Sequence, residues 1–440
     1  MRMEFPVPNL ARCLAALLVL PVASLRLEDA AGAEASSVPF YMYDLPHWSE
    51  GCTDPMFYMW GDRVPGVFHQ NEFPDVALYE VLKDHPWRVK NGDNAKLFVV
   101  PGYFGSSYKG MCGNHEDNMA QTAQMLEESP WYQRSRGSDH LISAFEFSLK
   151  PGTFKKMEPY VTRLIVLHLE KRAYYNRSVV VPYGPLSARG VDIHEVPPAK
   201  RRHSLFFMGQ ADVRPQYQQR RRALHLLPAS FNDSVLIQAT QLRQRFDRAD
   251  TKDDPAGLKE RLPNCEPPEL VSGCKMKFSL ETYARLGEQS NYSLVIEGDS
   301  PSTSRLYDAM QFGQVPIIIS SNWKEIAMPF PDELPWDDLA VFLSPDQFVQ
   351  DPVGTMSAAV KEASRSARWK LLEKVRFLLD WHHGGTCIGT AVLSDVGRRF
   401  LGLTRLPPAW KTAQCEQPPK TALARYLPVP KPRKFKVWLG

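Results

Sequence analysis

The stretch that most constrains the fold is SLVIEGDSPSTSRLYDAMQFGQVPIII, residues 293–319. An apolar run of strand character stops at Glu297-Gly298-Asp299. A Ser/Thr/Pro cluster follows, and an amphipathic segment leads through Gly313 into a second apolar run. Leu306, Ala309, Met310 and Gly313 fall at i, i+3, i+4 and i+7, one face of a helix. Ser300 suits the N-cap and Pro301 the first helical position, where its missing N–H is unpaired in any case. Gly313 suits the C′ stop. A strand, a helix and a second strand of these lengths predict a right-handed βαβ crossover, and hence a parallel sheet.

This pattern sets the turn 298–304 at the carboxyl end of a parallel strand and at a helix N-terminus. Free backbone N–H groups and the helix dipole favour an anion there. Arg305 adds a permanent cation with forked donors. Asp308, one turn along, can accept hydrogen bonds from ribose hydroxyls. The same residues also fit a plain packing unit, with Arg305 and Asp308 as a solvated pair worth about 0.2–0.5 kcal/mol. The residues alone leave both readings open.

The remainder of the chain reads as α/β. Strand-like runs at 39–46, 95–100, 164–169 and 178–182 alternate with helical patterns at 77–82 and 119–128. Residues 131–147 read as a basic loop feeding a short strand. These segments make a first domain over 38–182. A Pro-, Gly- and charge-rich linker spans 183–202. A second α/β set fills 203–345, with strands expected at 203–208, 234–239, 293–296, 315–319 and 340–343. The polar segment 243–273 reads as an insertion. Helical periodicity continues over 346–406, and 407–440 is a Pro-rich basic tail that can touch an anionic polymer or a membrane. The 440 residues carry a formal charge of +4, too small to point to nucleic acid.

Residues 1–37 read as a secretory signal: Arg2 and Arg12, an apolar run at 14–25, then small residues suited to cleavage. A cleaved signal and a short signal-anchor both fit, and either sends the chain into the secretory lumen. Six cysteines lie beyond the signal, enough for three disulfides in an oxidising compartment. Cys265 and Cys274, flanking a Pro-rich loop, form the expected local bridge. Sequons at Asn176, Asn232 and Asn291 permit N-glycosylation. The pair His382-His383 lacks a third ligand at a recognisable spacing, and no Asp-x-Asp occurs, so no metal site is expected.

The 293–320 stretch resembles the donor-domain signature of the exostosin-like glycosyltransferases: a strand, a Gly-Asp turn, serines, an Arg, an acidic-Ala pair and a Gly-x-x-Pro strand. FYMYDLP at 40–46, AKLFVVPGY at 95–103, GSDHLISAF at 137–145 and SLFFMGQ at 204–210 are similar to further family segments, in the family's order. AFEFSLKPG stands where many relatives carry a His-Asp-Trp-like element.

The resemblance implies a GT-B fold, two Rossmann-like domains facing across a cleft. It also implies sugar transfer, with inversion, from a UDP-sugar co-substrate to a glycan acceptor, with no further cofactor. The donor site expected from it comprises Gly209, Gln210, Arg214, Gly298, Asp299, Ser302, Thr303, Ser304, Arg305 and Asp308. The catalytic base is expected among first-domain carboxylates at strand ends: Glu146, then Asp139, then Asp44. Asp44 equally suits a turn role, and Asp139 equally suits pairing with Arg134 or Arg136. The resemblance also implies a Golgi or endoplasmic reticulum lumen. Membrane attachment through the N-terminal segment and a homo- or hetero-oligomer with a related transferase stay open. So does an inactive relative serving as a partner or chaperone subunit.

Overall fold

A computed structural model of the chain describes residues 37–416, except 51, 53–55, 60–61, 66–72, 185, 190, 212–213, 241–271 and 278–279. The first sheet has five parallel strands in sequential order: β1 (Phe40–Met42), β2 (Leu97–Val99), β3 (His140–Ser143), β4 (Ile165–His168) and β5 (Ser178–Val180). Its strands read as continuous apolar runs because both faces are covered. Leu97, Val99, Leu141, Ile165, Leu167 and Val179 pack on one face against Val81 and Leu82 of helix α1 (Phe73–Lys83). Phe98, Ile142 and Val166, one residue out of phase, face Met119, Ala123 and Leu126 of α2 (His115–Glu128). The segment read as a basic loop begins with a helix, α3 (Pro130–Ser135). Ser129 caps it through a bond from Tyr132 N–H, and Pro130 starts its first turn.

The second sheet has six parallel strands: β6 (His203–Gly209), β7 (Val235–Thr240), β8 (Cys274–Lys277), β9 (Ser290–Ile296), β10 (Val315–Ile319) and β11 (Val341–Leu343). Helices α4 (Gln218–Leu226), α5 (Leu280–Glu288) and α6 (Ser304–Gln311) lie among them. The spatial order is β8-β7-β6-β9-β10-β11. Renumbered within the sheet this is 3-2-1-4-5-6, the doubly wound order whose chain direction reverses between its first and fourth strands. Leu294 sits opposite Ile317 and Tyr292 opposite Leu205. Leu294, Ile296, Ile317 and Ile319 pack on Ala223 and Leu224 of α4. Val295 and Ile318 turn to the other face, where Leu306 and Met310 of α6 meet them. Strand β8 goes beyond the sequence-based expectations: its CKMK alternates apolar and polar residues, but over only four positions.

Later helices tie the sheets together. The chain runs through α7 (Pro352–Ala363) and α8 (Ser366–Val375), then returns to the first sheet as α9 (Thr386–Phe400). Ile388, Ala391 and Val392 of α9 share one core with β2, β4, α1 and α6. Trp381, fully buried at the crossing, donates its indole N–H to Pro182 O at 2.8 Å. No helix among the described residues is long and apolar enough to cross a membrane.

Disulfides join Cys52 to Cys112 and Cys387 to Cys415. Cys274 is also disulfide-bonded, while Cys265 lies outside the described residues. Most of the 243–273 segment lies outside them too. Asn176 and Asn232 are exposed in loops, whereas Asn291 is half-buried inside β9, a central strand that offers a glycan little room.

Candidate functional site

The opening stretch folds as β9, α6 and β10, and its helix starts later than the sequence suggests. Thr303, not Ser300, is the N-cap, its Oγ1 accepting from Arg305 N–H. Ser302 instead reaches across to the first sheet, donating to Leu169 O at 3.1 Å. Ser300, which local rules assign to the cap, lies outside the helix with its hydroxyl 3.2 Å from Ser302 O. Gly313, at φ +64°, ends the helix in the left-handed conformation its position required.

The carboxyl ends of β6 and β9 flank the switch point, and arginines converge there. Arg305 donates from Nε to Met208 O (3.1 Å) and from Nη1 to Thr303 Oγ1 (3.2 Å). Arg220, 4% exposed, donates to Gln210 O and Ile296 O, one carbonyl from each flanking strand end. Burial, then repulsion from Arg305, lowers Arg220 to about 9, with Arg214 adding to the repulsion. Arg214 stacks on Tyr217 and pairs with Asp299 at 3.1 Å. Asp299, whose side chain is 68% exposed, pairs with Arg214 and acts electrostatically on buried Arg220. Like charges gathered in a half-buried crevice lower one another's affinity for protons, and an anion between them reverses that cost.

The glycines have a specific physical role here. A Cβ at Gly209 would stand 2.7 Å from Arg305 Cζ, and one at Gly298 would stand 2.5 Å from Arg220 Nη2. At both positions glycine lets the backbone run against a guanidinium, which a side chain there would push aside. Gly209, Gln210, Arg214, Gly298, Asp299, Thr303 and Arg305 are thus brought together, while Ser304 opens α6 beside them. Asp299 serves as a counter-ion, bonded to Arg214 and to Gln216 Nε2. Asp308 is 6% exposed and its Oδ2 accepts from Tyr283 O–H at 3.0 Å. That bond orients the carboxylate within α6, one turn from Arg305.

The first sheet presents its own strand ends to this turn. After β4 the chain reads Leu169-Glu170-Lys171-Arg172; Leu169 O takes the Ser302 bond and Lys171 N–H donates to Ile326 O at 2.7 Å. Glu170, 1% exposed, lies beside Ser300 and Ser302, with Oε2 3.0 Å from Arg172 Nη2. Burial pushes its carboxyl up, and the nearby Ser300 hydroxyl and Arg172 offset only part of that. Tyr183 and Tyr307 pack across the seam with ring centres 5.6 Å apart.

The three expected base candidates lie apart. Glu146 follows β3 at its carboxyl end, but it is buried and engaged by Lys109 Nζ at 3.3 Å and Ser148 N–H at 3.1 Å. Asp139 precedes β3 and so lies at the wrong end of the sheet. There it accepts from Ser135 and sits 2.7 Å from His140 Nδ1 and 3.4 Å from Arg134. Burial raises its pKa, but the His140 and Ser135 hydrogen bonds outweigh that and hold it below the usual value. His140 is fully buried, with Nε2 on the Tyr43 hydroxyl and its ring stacked on Phe98, a core histidine. Asp44 is exposed beyond β1, the edge strand three places from β4. Sequence reasoning missed Glu170 and Arg220. Glu170 was within reach, since it directly ends the apolar run 164–169.

Two parallel sheets, the second in doubly wound order with a cationic switch point, define an α/β protein of the GT-B type. The chain belongs to the exostosin family: the model for the Exostosin GT47 domain matches residues 35–359. Probable glucuronosyltransferase Os03g0107900 of Oryza sativa subsp. japonica is 23% identical over 340 residues, covering 68% of this chain and 65% of that protein. Exostosin-2 of Homo sapiens is 25% identical over 268 residues, 57% of this chain and 32% of that protein. The chain thus spans just under two thirds of the first relative's length and about a third of the second's. The S. aureus MnaA–UDP co-structure aligns over 84% of this chain and 98% of its own. The identity is 9% and the TM-score 0.37, a likeness too slight to carry an argument.

Proposed function

We propose that this chain transfers a sugar from a UDP-sugar to a glycan hydroxyl, with inversion at the anomeric carbon, in the secretory lumen. The observation that carries the reading is the convergence of Arg214, Arg220 and Arg305 on the switch point, where Arg305 and Arg214 both repel the buried Arg220. A departing diphosphate is the anion that such a cluster suits, because guanidinium forks match phosphate oxygens in a site of low dielectric. Family membership supports the transferase chemistry. A secretory start with six further cysteines supports the lumen, Golgi or endoplasmic reticulum.

In this reading Arg305 and Arg214 contact the diphosphate. Arg220 holds the two strand ends at their spacing and adds charge from below. The turn 298–304 shapes the donor pocket, with Ser302 keyed to the first sheet. The test is a panel of UDP-sugars presented to the purified chain, read by thermal shift and by UDP release with and without glycan acceptors. Protection by UDP and by at least one UDP-sugar is expected. A folded protein indifferent to all of them contradicts the reading.

A further inference from the structure

We infer that Glu170 is the general base of the transfer reaction, taking the acceptor hydroxyl's proton on its Oε1; this rests on the transferase reading above. Glu170 stands at the carboxyl end of β4, one residue past the carbonyl that holds Ser302, so the first sheet delivers it to the donor turn. Its two oxygens are in different situations. Oε2 is paired with Arg172, which orients the carboxylate, while Oε1 is buried and makes no hydrogen bond of good geometry among the described residues, although the Ser300 hydroxyl and Ser302 N–H lie close enough to the carboxylate to lower its pKa. The Ser300 hydroxyl beside it also reaches Ser302 O at 3.2 Å, so its one proton is shared between the two. A buried acceptor atom without a well-formed hydrogen bond is costly, and functional sites are where such costs are kept.

Glu170 is not alone in this. The Tyr307 hydroxyl, His168 Nε2 and Arg172 Nε are buried without partners among the described residues, and all three residues line the same seam. His168 Nδ1 accepts from Glu170 N–H, Arg172 lies over the Phe147 ring at 5.4 Å, and Phe147 reaches Tyr183, which packs on Tyr307. This polar lining suits a hydroxyl-bearing ligand. Tyr174, at 39% the one large hydrophobic side chain exposed among the described residues, lies four residues along the same loop. A flat ring beside the seam suits the apolar face of a sugar. The raised pKa of Glu170 fits a group that must accept a proton near neutral pH. The other first-sheet carboxylates considered lack this combination: Glu146 is held by Lys109 and Ser148, Asp139 is at the opposite strand end, and Asp44 is exposed on the edge.

The step balances. The acceptor O–H proton passes to Oε1 as the acceptor oxygen bonds to the anomeric carbon. The bond from that carbon to the donor phosphate oxygen breaks, and its electron pair leaves on the diphosphate, which the arginines neutralise. Glu170 then returns its proton to solvent.

The test uses the full chain with UDP and the UDP-sugar and acceptor that support transfer in the wild type. Glu170→Gln, close in shape, should bind UDP within about twofold of wild type. It should lose kcat by about 10²–10⁴-fold, the usual share of a general base. The wild-type pH profile should fall on its acid side as Glu170 protonates, with His168, Arg172, Tyr174, Tyr183 and Tyr307 as its titratable surroundings. That acid limb should vanish from the residual rate of Glu170→Gln and shift in Glu170→Asp. A purely structural role would not move the limb. Glu170→Asp also decides the matter if the Gln variant fails to fold. A Gln variant within threefold of wild-type kcat, with the limb unchanged, overturns the inference and leaves the transferase reading standing. A folded wild-type chain that binds no UDP-sugar overturns that reading first.

Discussion

Replacing Arg305 with alanine removes one forked cation from the switch point and leaves Arg214 and Arg220 in place. A hydrogen bond to a charged group contributes about 1.5–3 kcal/mol. Arg305 is only half-buried, so solvent screening favours the lower half of that range. At 1.4 kcal/mol per tenfold, UDP should bind about 10- to 50-fold more weakly. Stability should change little. The variant loses bonds to Met208 O and Thr303 Oγ1, each worth about 1 kcal/mol, but it also relieves the repulsion Arg305 exerts on Arg220. Calorimetric titration with UDP reads the affinity, and denaturant unfolding reads the stability. Arg305→Lys keeps the charge without the fork and should fall between wild type and Ala. UDP affinity within threefold of wild type in Arg305→Ala, with the fold intact, would refute the assignment of this arginine to the diphosphate.

Gly209→Ala should impair UDP binding about as much as Arg305→Ala, because its new Cβ takes the space of the guanidinium; an unaffected titration would contradict the packing argument. Trp381→Ala should cost about 3–5 kcal/mol in denaturant unfolding, since a fully buried indole at the inter-sheet crossing leaves a cavity and an unpaired Pro182 O. A loss below about 1 kcal/mol would mean the crossing does not hold the sheets together. Cutting the Cys52–Cys112 bridge, which closes a separation of 60 residues, should cost about 4 kcal/mol by chain entropy, measured as the shift between the oxidised form and the Cys52→Ser, Cys112→Ser double variant. His383 gives a pH signature. Burial pulls it down, but the Asp380 carboxylate at 2.8 Å prevails over that and over Arg376, holding it above its ordinary value. A raised histidine stabilises fully below about pH 6.5 and loses that contribution as pH climbs through its folded value. The stability of wild type relative to His383→Gln should therefore decline from about pH 6 upward, and a flat difference would contradict the pairing.

The βαβ unit is legible because its signals are local: an apolar run, a helix face at 3.6 periodicity, and Gly313, whose positive φ ends α6. The misplaced cap shows where local reading stops. Ser300 followed by Pro301 suits a cap, yet Thr303 caps instead, and the Ser302 between them is bonded to Leu169, 133 residues away. The glycines at 209 and 298 are legible as donor-turn residues, but their reason, room for Arg305 and Arg220, depends on two strands that only the 3-2-1-4-5-6 order makes neighbours. Asp139 is a misleading candidate because a strand-end carboxylate is useful at only one end of a parallel strand, and the residues after the strand, not before it, mark that end. The same rule applied to residues 164–169 leads to Glu170.

The central claim is that the arginine switch point binds a diphosphate. Titrating the purified chain with uridine, UMP and UDP at fixed ionic strength tests it most directly. The account predicts affinity rising steeply with each phosphate, falling with added salt, and collapsing for UDP in Arg305→Ala. A folded chain that binds uridine and UDP equally well, or neither, would contradict it.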